Sequence, residues 1–79
     1  MDYDQDKVDE MTLALMFLTS FGDKWGTSSW KGYDWDALNR LHEAGYISNP
    51  VGKAKSVNFT PKGKELCEAL FQKHFGEND

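Results

Sequence analysis

The chain has 79 residues, which suits a single domain spanning 1–79 with mobile ends at 1–5 and 76–79. Its net charge of −4 argues against tight non-specific binding to phosphate backbones, and no apolar run approaches the roughly 18 residues that cross a bilayer. Cys67 is the only cysteine, so an internal disulfide is excluded; this fits a reducing cytoplasm, and the acidic N-terminus lacks the basic start of a secretory signal.

The charge is unevenly spread. Residues 1–39 carry eight acidic and three basic side chains, whereas residues 40–75 carry six basic and three acidic. A chain this short buries only about 60% of its unfolded surface, so its core is marginal unless it is well packed or shared. Trp25, Trp30 and Trp35 offset small size if they turn inward, or serve a partner if they do not.

In chain order, Asp6 is placed to cap a first helix, with Asp9 and Glu10 in the first turn facing the positive helix end. Val8, Met11, Leu15 and Leu18 follow at helical spacing. Leu13, Met16 and Phe17 widen the apolar face beyond one stripe, as in a helix sandwiched in a core or shared with a second subunit. Gly22 is the expected C′ residue. Residues 22–33, GDKWGTSSWKGY, read as a long glycine- and serine-rich connection, with room for a short helical turn and with Trp25 or Trp30 folded back onto the core.

Asp34 then caps a helix over 35–44 with Trp35, Leu38 and Leu41 on its buried stripe. Gly45 supplies a left-handed C′ position, and Tyr46 returns to touch Leu41. Ile47 lies in a first strand that Asn49-Pro50 ends. Gly52 lets the chain bend back into KSVNF, whose Val57 and Phe59 share one face. Thr60-Pro61 starts a last helix, about 61–74, that buries Leu66, Leu70 and Phe71 with Cys67 alongside. The expectation is an α+β fold, mainly helical, of three helices and a two-stranded antiparallel hairpin, in the order helix, loop, helix, strand, strand, helix.

The stretch LNRLHEAGYI…KSVNFTPKG resembles the second half of bacterial winged-helix regulators, through Leu38, Leu41, Glu43, Gly45, Ile47, Phe59, Thr60 and Gly63. That resemblance implies a recognition helix, a wing and a following helix that pairs protomers. Over nearly its whole length, from MDYDQDKVDEM through WKGYDWDALNRLHEAGYISNP to GKAKSV, the chain is also similar to a bacterial family of short proteins known as a domain of unknown function. This second resemblance implies a small stand-alone protein and brings no catalytic residue or cofactor with it.

Two features depart from the regulator pattern. The stretch before the recognition-like helix is glycine-rich, and the helix itself opens on Asp34 and Asp36, which phosphates would repel. Asn39 and Arg40 could read base edges, yet Arg40 also stands four residues from Asp36, where a local ion pair forms. Lys53 and Lys55 in the wing, with Lys62 and Lys64 opening the last helix, could hold phosphates; lysines also guard sheet edges and keep proteins soluble.

DYDQD resembles the start of a calcium loop, but counting from Asp2 the sixth and twelfth positions hold Lys7 and Leu13 in place of glycine and glutamate. Cys67, His42 and His74 are too few and too scattered for structural zinc. No nucleophile elbow, P-loop or dinucleotide fingerprint occurs, and a domain this small is not expected to enclose a cleft of ligand size. The leading expectation is a non-catalytic, cofactor-free module that docks an unknown protein or a second copy of itself. Its candidate contacts are Met16, Phe17, Trp25, Trp30, Phe71 and Phe75. The second is a DNA-binding regulator using Asn39, Arg40, Lys53, Lys55, Lys62 and Lys64.

Overall fold

The computed structural model describes residues 1–23 and 26–77. Helix α1 covers Gln5–Leu18, strands β1 and β2 cover Ser20–Asp23 and Gly26–Trp30, and α2 covers Trp35–Glu43. Strand β3 covers Ser56–Asn58 and α3 covers Pro61–Phe75. The α+β class holds with three helices, but the sheet has three antiparallel strands in the order β1-β2-β3 where two were expected.

The extra strands come from the stretch read as a loop. Gly22 does not end α1; it lies in β1 opposite Thr27, and α1 stops at Leu18. Hydroxyls stop it: Thr19 Oγ1 donates back to the Met16 carbonyl and Ser20 Oγ to that of Phe17. Side chains of this kind compete with the helix for its own carbonyls. The start of α1 also shifts. Asp4, not Asp6, is the N-cap, its carboxylate accepting the Lys7 N–H at 3.0 Å.

The core gathers Leu13, Ala14 and Met16 of α1, Leu38 and Leu41 of α2, Ile47, Val57, and Cys67 and Leu70 of α3. Phe17, Tyr33, Tyr46, Phe59 and Leu66 pack around it half-buried. The buried stripe of α1 is thus Leu13 and Met16, not Leu15 and Leu18, which stand exposed. Trp35 is likewise exposed, so α2 contributes Ala37, Leu38 and Leu41 only.

The connection from α2 follows its sequence reading closely. Gly45 takes φ 85°, Tyr46 N–H donates to the Leu41 carbonyl at 3.0 Å and Gly45 N–H to that of His42 at 2.9 Å. This is the paired bonding of a Schellman end. The chain does double back after Gly45, but as one bridge between Ile47 and Phe59 beside β3, reinforced by Ser48 N–H on the Asn58 carbonyl at 2.8 Å. Asn49 Oδ1 accepts the Val51 N–H in the turn, Pro50 is buried beneath it, and Gly52 takes φ 145°. Thr60 caps α3 through the Gly63 N–H at 3.0 Å, with Pro61 in the first turn.

Where a helix-turn-helix carries its first helix, between α1 and α2, this chain carries the β1–β2 hairpin. The hairpin is fastened to α1 by hydroxyls. Ser29 is fully buried and its Oγ lies 2.9 Å from Thr19 Oγ1, which lies 2.9 Å from the Tyr33 hydroxyl. Tyr33 in turn donates to the Leu15 carbonyl at 3.1 Å.

Candidate functional site

Strand alternation sorts the sheet into two faces. Ser29 and Val57 pair across the strands and are buried, so their face is the one laid on the helices. The opposite face presents Phe21 of β1, Ser28 and Trp30 of β2, and Ser56 and Asn58 of β3. Phe21 and Trp30 are 43% and 54% exposed, and their rings meet at 5.0 Å between centroids, tilted by 40°. Ser28 Oγ donates to Asn58 Oδ1 at 2.6 Å beside them. This pair of aromatics is therefore in mutual contact and partly open to solvent.

The expected interface residues divide. Trp30 lies on this face. Met16 is fully buried among the core side chains, so it cannot contact a partner and its assignment is corrected. Phe17 and Phe71 are half-buried against each other at 5.2 Å, and Phe75, 41% exposed, extends that row at 5.3 Å from Phe71. Trp25 lies outside the described residues. Phe21 was missed. Between SFGD and GTSSW the sequence offers only Lys24-Trp25, without the glycine or asparagine that marks a tight hairpin turn, so no signal pointed to it.

The expected nucleic-acid contacts also divide. Arg40 does not pair with Asp36. Its Nε donates to Asp9 Oδ2 at 2.7 Å and its terminal NH2 group to Oδ1 at 2.8 Å, a forked bond from α2 to α1. The Asp9 carboxylate pushes the guanidinium pKa up further, with Tyr3 as a smaller contributor. Asn39 is half-buried on α2. Lys53, Lys55 and Lys64 are exposed, and Lys62 lies 4.9 Å over the Tyr46 ring. Lys31, which the sequence did not single out, ties down the 50–52 turn by donating to the Pro50 and Gly52 carbonyls at 2.7 and 3.1 Å.

A groove of about 360 Å³ runs between α1, α2 and α3, so the expectation of no ligand-sized cleft is corrected. Leu13, Leu41, Leu66 and Leu70 line it, with Asp6, Asp9, Glu10 and Arg40 at its rim. Two of its carboxylates are already engaged: Asp9 by Arg40, and Glu10 by His74 at 3.3 Å, Lys73 at 3.6 Å and Lys7 at 3.9 Å. The contact with His74 chiefly holds the Glu10 carboxyl below its ordinary pKa, against the burial that pushes it up, with Lys73 and Lys7 assisting. Cys67 is sealed in the core, its thiol donating to the Lys64 carbonyl at 3.2 Å and its pKa raised by burial. Among the described residues no three His, Cys, Asp or Glu side chains converge as a metal site.

The family model described as a domain of unknown function, DUF6429, matches residues 4–77. The chain belongs to the DUF6429 family. An uncharacterised protein, y4hR, of Sinorhizobium fredii is 43% identical over 75 residues, which cover 95% of this chain and 97% of that protein. This DUF6429 chain and that relative thus align along almost their full lengths. No solved structure matches the chain significantly. Among the described residues of this DUF6429 chain, no helix is long and apolar enough to cross a membrane.

Proposed function

We propose that the chain is a non-catalytic interaction module whose docking surface is the outer face of its sheet, centred on Trp30 and Phe21. The observation that supports this reading is the exposed, mutually braced Phe21–Trp30 pair. Isolated exposed apolar residues are ordinary, but two large aromatics side by side on a flat sheet form a desolvation-ready anchor of the kind found at the centre of interfaces. A non-catalytic role accords with the groove, where Asp9 and Glu10 are committed to internal ion pairs and leave no free acid–base couple poised over a substrate.

A regulator that reads DNA is the weaker reading. Its recognition helix would need Arg40, which Asp9 holds from two sides, and α2 opens on Asp34 and Asp36.

The test compares immobilised wild type with Trp30→Ser after their melting temperatures have been matched. Wild type retains the soluble chain itself or another protein from a bacterial lysate, and Trp30→Ser loses that retention. Equal retention by both, or none by either, rejects the outer face as the docking surface.

A further inference from the structure

We infer that the strand edge bordering this face takes a second copy of the chain, by antiparallel pairing of β1 with β1 across a two-fold axis at Phe21. This goes beyond the docking role proposed above: it sets the two copies' Phe21–Trp30 pairs side by side and leaves the outer face itself open. The starting point is the hydrogen bonding of the sheet edges. The β3 edge is occupied, since the Ile47–Phe59 bridge and the Ser48 N–H on the Asn58 carbonyl run along it. The β1 edge is the other end of the sheet.

Alternation fixes which groups that edge offers. Phe59 N–H donates to the Thr27 carbonyl and Lys31 N–H to that of Lys55, so residues 27, 29 and 31 direct their backbone groups toward β3. Ser28 and Gly26 therefore direct theirs toward β1, where their partners are Phe21 and Asp23. Ser20 and Gly22 are left with N–H and C=O groups aimed outward.

Those two residues are self-complementary. In a two-fold antiparallel pair centred on Phe21, Ser20 faces the second copy's Gly22 and Gly22 faces its Ser20. Both are hydrogen-bonded pairs, so four N–H···O=C bonds close the edge. Phe21 then faces its own copy in a non-hydrogen-bonded pair, where Cα atoms approach to about 4.5 Å and side chains are closest. The two copies' Phe21–Trp30 pairs become one row of four rings on a continuous six-stranded sheet.

The charge distribution permits the approach. Asp23, on β1 itself, falls opposite the second copy's Thr19, and this register sets the two copies' Asp23 backbones about 14 Å apart, beyond the Debye length of about 8 Å. Asp2, Asp4 and Asp6 lie at the start of α1, whose 14 residues place them about 20 Å from β1. The contact area is small, below the about 1,000 Å² of stable interfaces, so the dimer belongs to the weak, reversible class.

Two measurements decide it. Backbone amide exchange on the unmodified chain, followed up to about 1 mM, shows slowing with concentration at Ser20 and Gly22 and none at Phe21, whose N–H is already committed to β2. Under mild oxidation Phe21→Cys forms a disulfide dimer several-fold faster than Leu18→Cys, although Leu18 is 66% exposed and the more accessible site. Wild type, with Cys67 buried, is the blank. Concentration-independent exchange at Ser20 and Gly22, or linking of Leu18→Cys as fast as Phe21→Cys, overturns the pairing. If that happens while Trp30-dependent retention of another protein persists, the pairing is wrong and the docking role stands. If retention is absent as well, both fall.

Discussion

Gly63 sits inside α3, where alanine ordinarily adds about 1 kcal/mol of stability by stiffening the unfolded chain. Here the sign reverses. A Cβ at this position would fall 1.8 Å from the Tyr46 carbonyl oxygen, and that carbonyl is itself held by the Thr60 N–H at 3.0 Å. Neither backbone can move without undoing the helix start. Gly63→Ala is expected to cost about 3 kcal/mol or more, read as a drop in denaturation midpoint. A variant as stable as wild type would contradict this close approach. Glu10 supplies a second residue-level test. Because its folded pKa lies below the ordinary 4.5, its contribution to stability is complete above that pH and is lost as pH falls through the folded value. Wild type should therefore melt above Glu10→Gln at any pH above 4.5, and the gap should narrow as the pH falls below it. A gap that does not change with pH would contradict the assignment.

At the scale of elements, α2 and its exit were legible because each step has its own chemical marker. Asp34 caps the helix, Gly45 adopts the positive φ that only glycine takes cheaply, and Thr60-Pro61 opens the next helix. Gly45→Ala is accordingly expected to lose about 1–2 kcal/mol by thermal or chemical denaturation. The β1–β2 hairpin was not legible because its residues lack strand propensity: glycine and serine fill it. Its stability comes from tertiary partners instead, above all the Ser29–Thr19–Tyr33 hydroxyl chain. Tyr33→Phe removes the donor to the Leu15 carbonyl and the hydroxyl beside Thr19, so it should cost about 1 kcal/mol and raise exchange at β1 and β2 amides before those of α3. The same blindness hid the interface. With the strands unseen, Trp30 could be suspected but Phe21 could not be placed beside it, and Met16 was assigned to a surface although it is buried in the core.

At the scale of the molecule, the acidic start of α1 is stitched inward by Arg40, Lys73 and His74, and the basic turn at 53–55 is exposed. Among the described residues the sheet leaves exposed the face that carries Phe21 and Trp30, bordered by the β1 edge. The most direct test of the account is sedimentation equilibrium of wild type and Phe21→Ser over the same concentration range, with folding of both verified by melting. Wild type should rise from monomer mass toward twice that mass as concentration increases, and Phe21→Ser, which loses the ring pair at the two-fold axis, should stay near the monomer. Wild type that remains monomeric throughout, or a Phe21→Ser chain that associates equally well, would contradict it.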